Sequence, residues 1–156
     1  MNTTWILVAH YAGAEIYEAK PHAKHPELIR QIPHPEGRLY NRDFESDRHG
    51  TTHDRIGSLG HVTHQEHDPR DQDVRRFANE LAAALRVGWT QNACDQFVIV
   101  AEPGLLGDLR NALDDQTAAR VVTTLDKDLL CGDKNAMLQR LSELMATLDK
   151  RSHAPR

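Results

Sequence analysis

The chain has 156 residues, enough for one domain with a core that needs no disulfide staples. Hydrophobic residues make up 39%, charged residues 27%, and the formal net charge is −4. That balance excludes a wholly disordered chain and a globally basic nucleic-acid binder, so any contact with nucleic acid must come from a local patch. Cys94 and Cys131 sit in apolar contexts without metal-type spacing and read as small buried hydrophobes. The first residues, MNTTWILVAH, have no basic leader, and their apolar run is too short for a signal peptide or a membrane span. The expected compartment is the cytoplasm.

In chain order, Trp5 to His10 is a short run of strand formers, and Ala14 to Ala19 alternates around Ile16 and Tyr17. The small Tyr-Ala-Gly connection between them predicts a hairpin. Glu27 to Ile32 is a third strand, stopped by Pro33. A long polar loop follows over 33–67. It ends where Asp68 suits an N-cap, Pro69 the first helical position and Asp71 the positive helix end. Val74, Phe77, Ala78, Leu81 and Leu85 then fall at i, i+3, i+4, i+7 and i+11, one stripe of an amphipathic helix, with Gly88 as its expected C-terminal stop.

Cys94 to Ala101 contains Phe97-Val98-Ile99-Val100, a run that predicts a strand buried on both faces, ended by Glu102-Pro103-Gly104. A helix with Leu105, Leu106, Leu109, Ala112 and Leu113 follows, then a strand over Arg120 to Leu125. The charged segment Asp126-Lys127-Asp128 reads as a solvated turn. Asp133 caps a last helix carrying Met137, Leu138, Leu141, Leu144, Met145 and Leu148. The order is β-β-β-loop-α-β-α-β-α. It implies one α/β domain over residues 1–150, with a mixed sheet of about five strands and three flanking helices, and a flexible tail at 151–156.

Function is expected on the loop, because binding residues gather on loops held by a rigid frame. It holds six of the ten histidines: His34, His49, His53, His61, His64 and His67. His61, His64 and His67, with Asp68 beside them, are candidate ligands for a divalent transition metal such as zinc. The plainer reading is solvated histidines, and otherwise no cofactor is expected. Arg38, Arg42, Arg48 and Arg55 are spaced to follow a phosphate backbone, although Glu36, Asp43, Glu45, Asp47 and Asp54 are interleaved with them. Tyr40 and Phe44 suit base stacking or anchoring of the loop. The tip Gly57-Ser58-Leu59-Gly60-His61 is not a phosphate loop, but its backbone can approach a ligand closely. No nucleophile-elbow motif surrounds Ser46 or Ser58.

Four stretches carry a resemblance: HPEGRLYNRDFESDRHG (34–50), HDPRDQDVRRFANELA (67–82), FVIVAEPGLLGDLRNAL (97–113) and TLDKDL (124–129). In order and spacing they resemble the bacterial host attachment protein family, also described as proteins required for attachment to host cells. That family in turn looks like the middle domain of eukaryotic and archaeal peptide-release factors and of Pelota. The resemblance implies a release-factor-like fold and a binder of the ribosome or tRNA, with Arg38, Arg42, Arg48 and Arg55 on phosphates and Gly57, Ser58, Gly60 and His61 at the inserting tip. The tip lacks Gly-Gly-Gln, so release-type hydrolysis is not implied, and neither an enzyme nor a DNA or membrane partner is expected. A role in host attachment would then be indirect, by regulation inside the cell or through a protein partner. The other readings are a metal-dependent enzyme built on His61, His64 and His67, and a histidine-based pH or partner sensor.

Overall fold

The computed structural model describes residues 2–35, 69–130 and 132–152. Five strands form one mixed sheet: β1 (Thr4–His10), β2 (Gly13–Ala19), β3 (Glu27–Pro33), β4 (Gln96–Ala101) and β5 (Val121–Leu125), in the order β3-β2-β1-β4-β5. β1 pairs antiparallel with β2 and parallel with β4, β2 pairs antiparallel with β3, and β4 pairs parallel with β5. The helices are α1 (Pro69–Thr90), α2 (Pro103–Ala112), the single turn α3 (Asp115–Ala118) and α4 (Lys134–Ser152). The α/β class, the mixed sheet and the order of the elements agree with the sequence. The turn α3 is an addition, capped by Asp114, whose carboxylate accepts the Thr117 amide at 2.7 Å. Arg151 and Ser152 extend the last helix by two residues beyond the expected start of the tail.

Strand periodicity sorts the core into two layers. On one face Leu7, Ala9, Ile16, Phe97 and Ile99 pack against Phe77, Leu81 and Leu85 of α1 and Leu105 and Leu109 of α2. On the other, Ile6, Val8, Tyr17, Val98 and Val100 pack against Met137 and Leu141 of α4. The central strands β1 and β4 are therefore covered on both sides, as the unbroken run Phe97 to Val100 requires.

Both edge strands carry a bulge. Ile16 faces Arg30 and Tyr17 faces Leu28, so Ile29 is the extra residue of β3; Phe97 faces Val121 and Val98 faces Thr123, so Val122 is that of β5. These two side chains are exposed, at 41% and 46%. An extra residue breaks the regular ladder and twists the edge, which hinders pairing with another chain. The apolar side chains on each edge thus sit where the edge is least able to accept a further strand.

Gly88 does not end α1. The helix continues to Thr90 and closes two residues later, at Asn92 in the left-handed conformation, with φ of 60°. The Ala93 amide donates to the Gly88 carbonyl at 2.9 Å and the Asn92 amide to that of Trp89 at 3.1 Å, the paired bonds of a Schellman ending. Gly88 is needed for a different reason. A Cβ there would overlap the ring of Trp5, which lies across the helix, meets Phe97 edge-on at 6.5 Å and donates its indole N–H to Glu18 at 3.2 Å.

Two glycine substitutions separate these roles. Gly88→Ala should destabilise the fold by about 1–3 kcal/mol through overpacking on Trp5. Gly107→Ala, on α2 with no atom within 4 Å of the added methyl, should stabilise it by about 0.5–1 kcal/mol. Urea denaturation checks both; a neutral Gly88→Ala would show that Trp5 moves aside freely.

A candidate binding edge at the carboxyl ends of the strands

Because β3 is antiparallel to β2 and β2 to β1, strands β1, β3, β4 and β5 all end at one edge of the sheet. In α/β sheets ligands bind outside the carboxyl ends of the strands. The chain enters the polar segment from this edge. Pro33 ends β3, and the buried His34 follows. Its backbone amide donates to the Ala12 carbonyl at 3.1 Å, and its Nδ1 bonds the Tyr11 carbonyl. Its ring stacks on Phe77 of α1, with centroids 4.3 Å apart and planes 5° from parallel. The end of β3 and the early part of α1 are thereby pinned together. Of the histidines singled out in the sequence, His34 is the one that the structure places, and it serves as an anchor. Arg38, Arg42, Arg48, Arg55, Gly57, Ser58, Gly60, His61, His64 and His67 lie outside the described residues, as do Tyr40, Phe44 and the expected cap Asp68.

The β1–β2 hairpin turns through Tyr11 and Ala12, and neither has a positive φ. The ring of His10 reaches back to this turn, and its Nδ1 accepts the Ala12 amide at 2.8 Å. Two histidines thus clamp one turn, His10 from within the hairpin and His34 from β3. Tyr11 carries its hydroxyl to the first turn of α2, where it occupies the space that a Cβ on Gly104 would need. Burial, with the negative charges of Glu102, Asp108 and Asp71, pushes the Tyr11 phenol up, so it remains a neutral hydrogen-bonding group.

Glu102 stands directly after β4, next to this turn, and opens α2 without a side-chain capping bond. Its carboxyl is pushed up, first by burial and then by Asp128; the Tyr11 amide bonded to it and the neighbouring His10 work in the opposite direction. Asp128 itself accepts the Leu130 amide at 3.1 Å, which shapes the connection from β5 to α4. A pocket of about 430 Å³ opens beside these groups, lined by His10, Gly13, Glu15, Gln31, Pro33 and Leu130 among others. The pocket therefore combines imidazole, carboxyl and amide groups, while the Tyr11 phenol packs on the α1 side of the sheet.

The arrangement suits recognition by hydrogen bonds. Cys94, a conceivable nucleophile, lies at the opposite end of the sheet, before β4, and burial chiefly pushes its thiol up to about 12. Among the described residues no group of three or more His, Cys, Asp or Glu side chains is placed to hold a metal ion. The sequence reading passed over His10, Tyr11, Glu15 and Glu102. A histidine closing an apolar strand and a glutamate opening Pro-Gly were visible there, but nothing local says that they meet.

Since the folded protein holds the Glu102 proton more tightly than the unfolded chain does, this group favours the fold most below the ordinary carboxyl range. That contribution is lost as pH rises through its raised value. Glu102→Gln, which cannot ionise, should therefore unfold at a higher temperature than the native chain at about pH 8. The advantage should shrink as pH falls toward about 3, where both states carry a protonated Glu102. An advantage of the same size at both pH values would show that the carboxyl does not titrate as described.

No helix among the described residues is long and apolar enough to cross a membrane. No curated protein matches the chain. Residues 5–141, which cover β1 from Trp5 onward and the other four strands in full, match a family described as protein required for attachment to host cells, and the chain belongs to that family.

Proposed function

We propose that this member of the host attachment family is a cytoplasmic binding protein that contacts the ribosome or tRNA through the long polar loop 33–67, without a release-type hydrolytic step. The observation that carries the reading is the pinning of His34 on Phe77, by which a polar, arginine-bearing segment starts and finishes at the carboxyl edge of the sheet. A segment held at both ends by a rigid frame can present its residues to a large partner while the domain stays folded.

Charge supports a division of labour. Asp71, Glu102, Asp108, Asp126 and Asp128 cluster at or near the edge, which disfavours direct contact with phosphates there. Arg38, Arg42, Arg48 and Arg55 would supply the phosphate contacts, and Gly57, Ser58, Gly60 and His61 the inserting tip. The order of the elements, three strands, a long polar segment, a long helix and then strand–helix units, adds the likeness to release-factor middle domains and Pelota described from the sequence. Without Gly-Gly-Gln at the tip, binding is the expected activity, and any effect on host attachment would act through regulation inside the cell.

Co-sedimentation of the untagged chain with purified ribosomes at low and moderate salt tests this. The native chain is expected in the ribosomal fractions, with binding that falls as salt rises. Replacing the four arginines by glutamine should weaken binding and flatten that salt dependence. Undiminished binding of the variant would refute the arginine assignment, and no binding of the native chain at any salt would refute the partner.

A further inference from the structure

The pocket beside the hairpin turn has a composition that its strand register explains. His10 faces Gly13 across β1 and β2, and Gly13 faces Pro33 across β2 and β3. Alternation places all three on the α4 side, because Ala9, Ala14 and Ile32 pack on the α1 side. The middle position of this row therefore has no side chain. His10 and Pro33 stand two strands apart, about 9.6 Å at the backbone, with a glycine floor between them. The gap leaves open space above the sheet, with His10, Glu15 and Gln31 arrayed across three neighbouring strands beside it. The next row reads Val8, Glu15 and Gln31, so a carboxylate and an amide rise beside each other at the back of the gap. Leu130, from the connection between β5 and α4, adds an apolar wall. The volume of about 430 Å³ lies within the range of small-molecule sites.

The polar atoms have unequal commitments. Glu15 Oε2 accepts the Tyr17 hydroxyl at 3.1 Å and faces Lys134 Nζ at 3.9 Å. Its Oε1 takes part in neither contact, and the side chain is 16% exposed. Since His10 Nδ1 accepts the Ala12 amide, the proton of the neutral ring sits on Nε2, which is a donor. Gln31 brings an amide able to donate or accept. Across the pocket the order is donor, anionic acceptor and adaptable amide. The central acceptor is the discriminating element. It needs an N–H in the middle of the ligand's edge and repels a bare ring nitrogen, whose lone pair would face the carboxylate.

We propose that this pocket binds a planar heterocycle presenting a ring N–H beside a carbonyl, the lactam edge of uracil, guanine and hypoxanthine. Glu15 would accept the ring N–H, His10 would donate to the carbonyl, and Gln31 would meet the next group along the edge. Adenine and cytosine, with a bare nitrogen at the central position, are disfavoured. Phosphate groups are disfavoured beside Glu15, the carboxylate that lines the pocket. The proposal does not rest on ribosome binding, because a free nucleoside is a sufficient ligand.

The test is titration of the full chain with uridine, guanosine, adenosine and cytidine, followed by amide NMR shifts and calorimetry. Uridine and guanosine are expected to saturate, with shifts at Gly13, Glu15 and Gln31, and to bind at least about tenfold more tightly than adenosine and cytidine. The ligand-side control is 3-methyluridine, in which a methyl group replaces the ring N–H; it should lose binding by about the same factor. Gln31→Leu, at an exposed position, should weaken uridine binding with an unchanged thermal midpoint. Equal binding of uridine and 3-methyluridine, an absence of saturable binding by any nucleoside, or shifts confined to residues away from the pocket would each overturn the proposal. None of these outcomes alters the ribosome assay, which reads Arg38, Arg42, Arg48 and Arg55.

Discussion

Strand β1 must satisfy two neighbours of opposite direction at once. Its amides and carbonyls pair antiparallel with β2 on one side and parallel with β4 on the other, and Ile6 to Ala9 have no exposed surface. Every other element is placed by that requirement. An antiparallel neighbour can follow through a two-residue turn, which makes β2 and then β3. A parallel neighbour needs a crossover, and α1 supplies it after the long polar segment. The hydrophobic faces of β1 then call for cover on both sides, and α1, α2 and α4 provide it.

The same requirement brings the candidate edge together. Because β1 ends between β2 and β4, the residues just beyond it lie between a hairpin turn and the first turn of α2. Glu102 meets His10 and Tyr11 there although it lies far from them in the chain. His34 joins them through its bonds to the turn and its stack on Phe77. The edge is thus rigid where the polar segment leaves it, and its pocket lies over the position where Gly13 withholds a side chain. Rigidity and concavity have one origin: the strand pairs that hold the turn also set His10 and Pro33 on either side of a glycine.

Charge is distributed unevenly over this frame. The described edge is rich in carboxylates: burial chiefly pushes Glu102 and Asp108 up, with Asp128 adding to the rise at Glu102 and Arg75 opposing it at Asp108. The four arginines weighed in the sequence all belong to the segment beyond His34. A partner that carries phosphates would meet the arginines, and a ligand that offers N–H groups would meet the pocket. The two kinds of recognition can therefore coexist on one small domain without competing for the same groups.

Sequence periodicity by itself determined the class of the fold, the order of its strands and main helices, and most of the core, because alternation and the 3.6-residue repeat are local consequences of which face is buried. Phe97 to Val100 announced a central strand, and Pro69 with the stripe from Val74 to Leu85 announced α1. Gly88 shows the limit. Read along the chain it is a helix stop; in the fold it is the place where Trp5 crosses α1, while Asn92 makes the stop. The candidate site was less legible still. The sequence drew attention to arginines, glycines and histidines that stand together in the chain, whereas the pocket is made by His10, Gly13, Glu15, Gln31 and Pro33, which strand pairing brings into two adjacent rows. Only the tertiary structure could decide that, because register is a relation between segments: a slip by one residue would turn every one of those side chains to the other face.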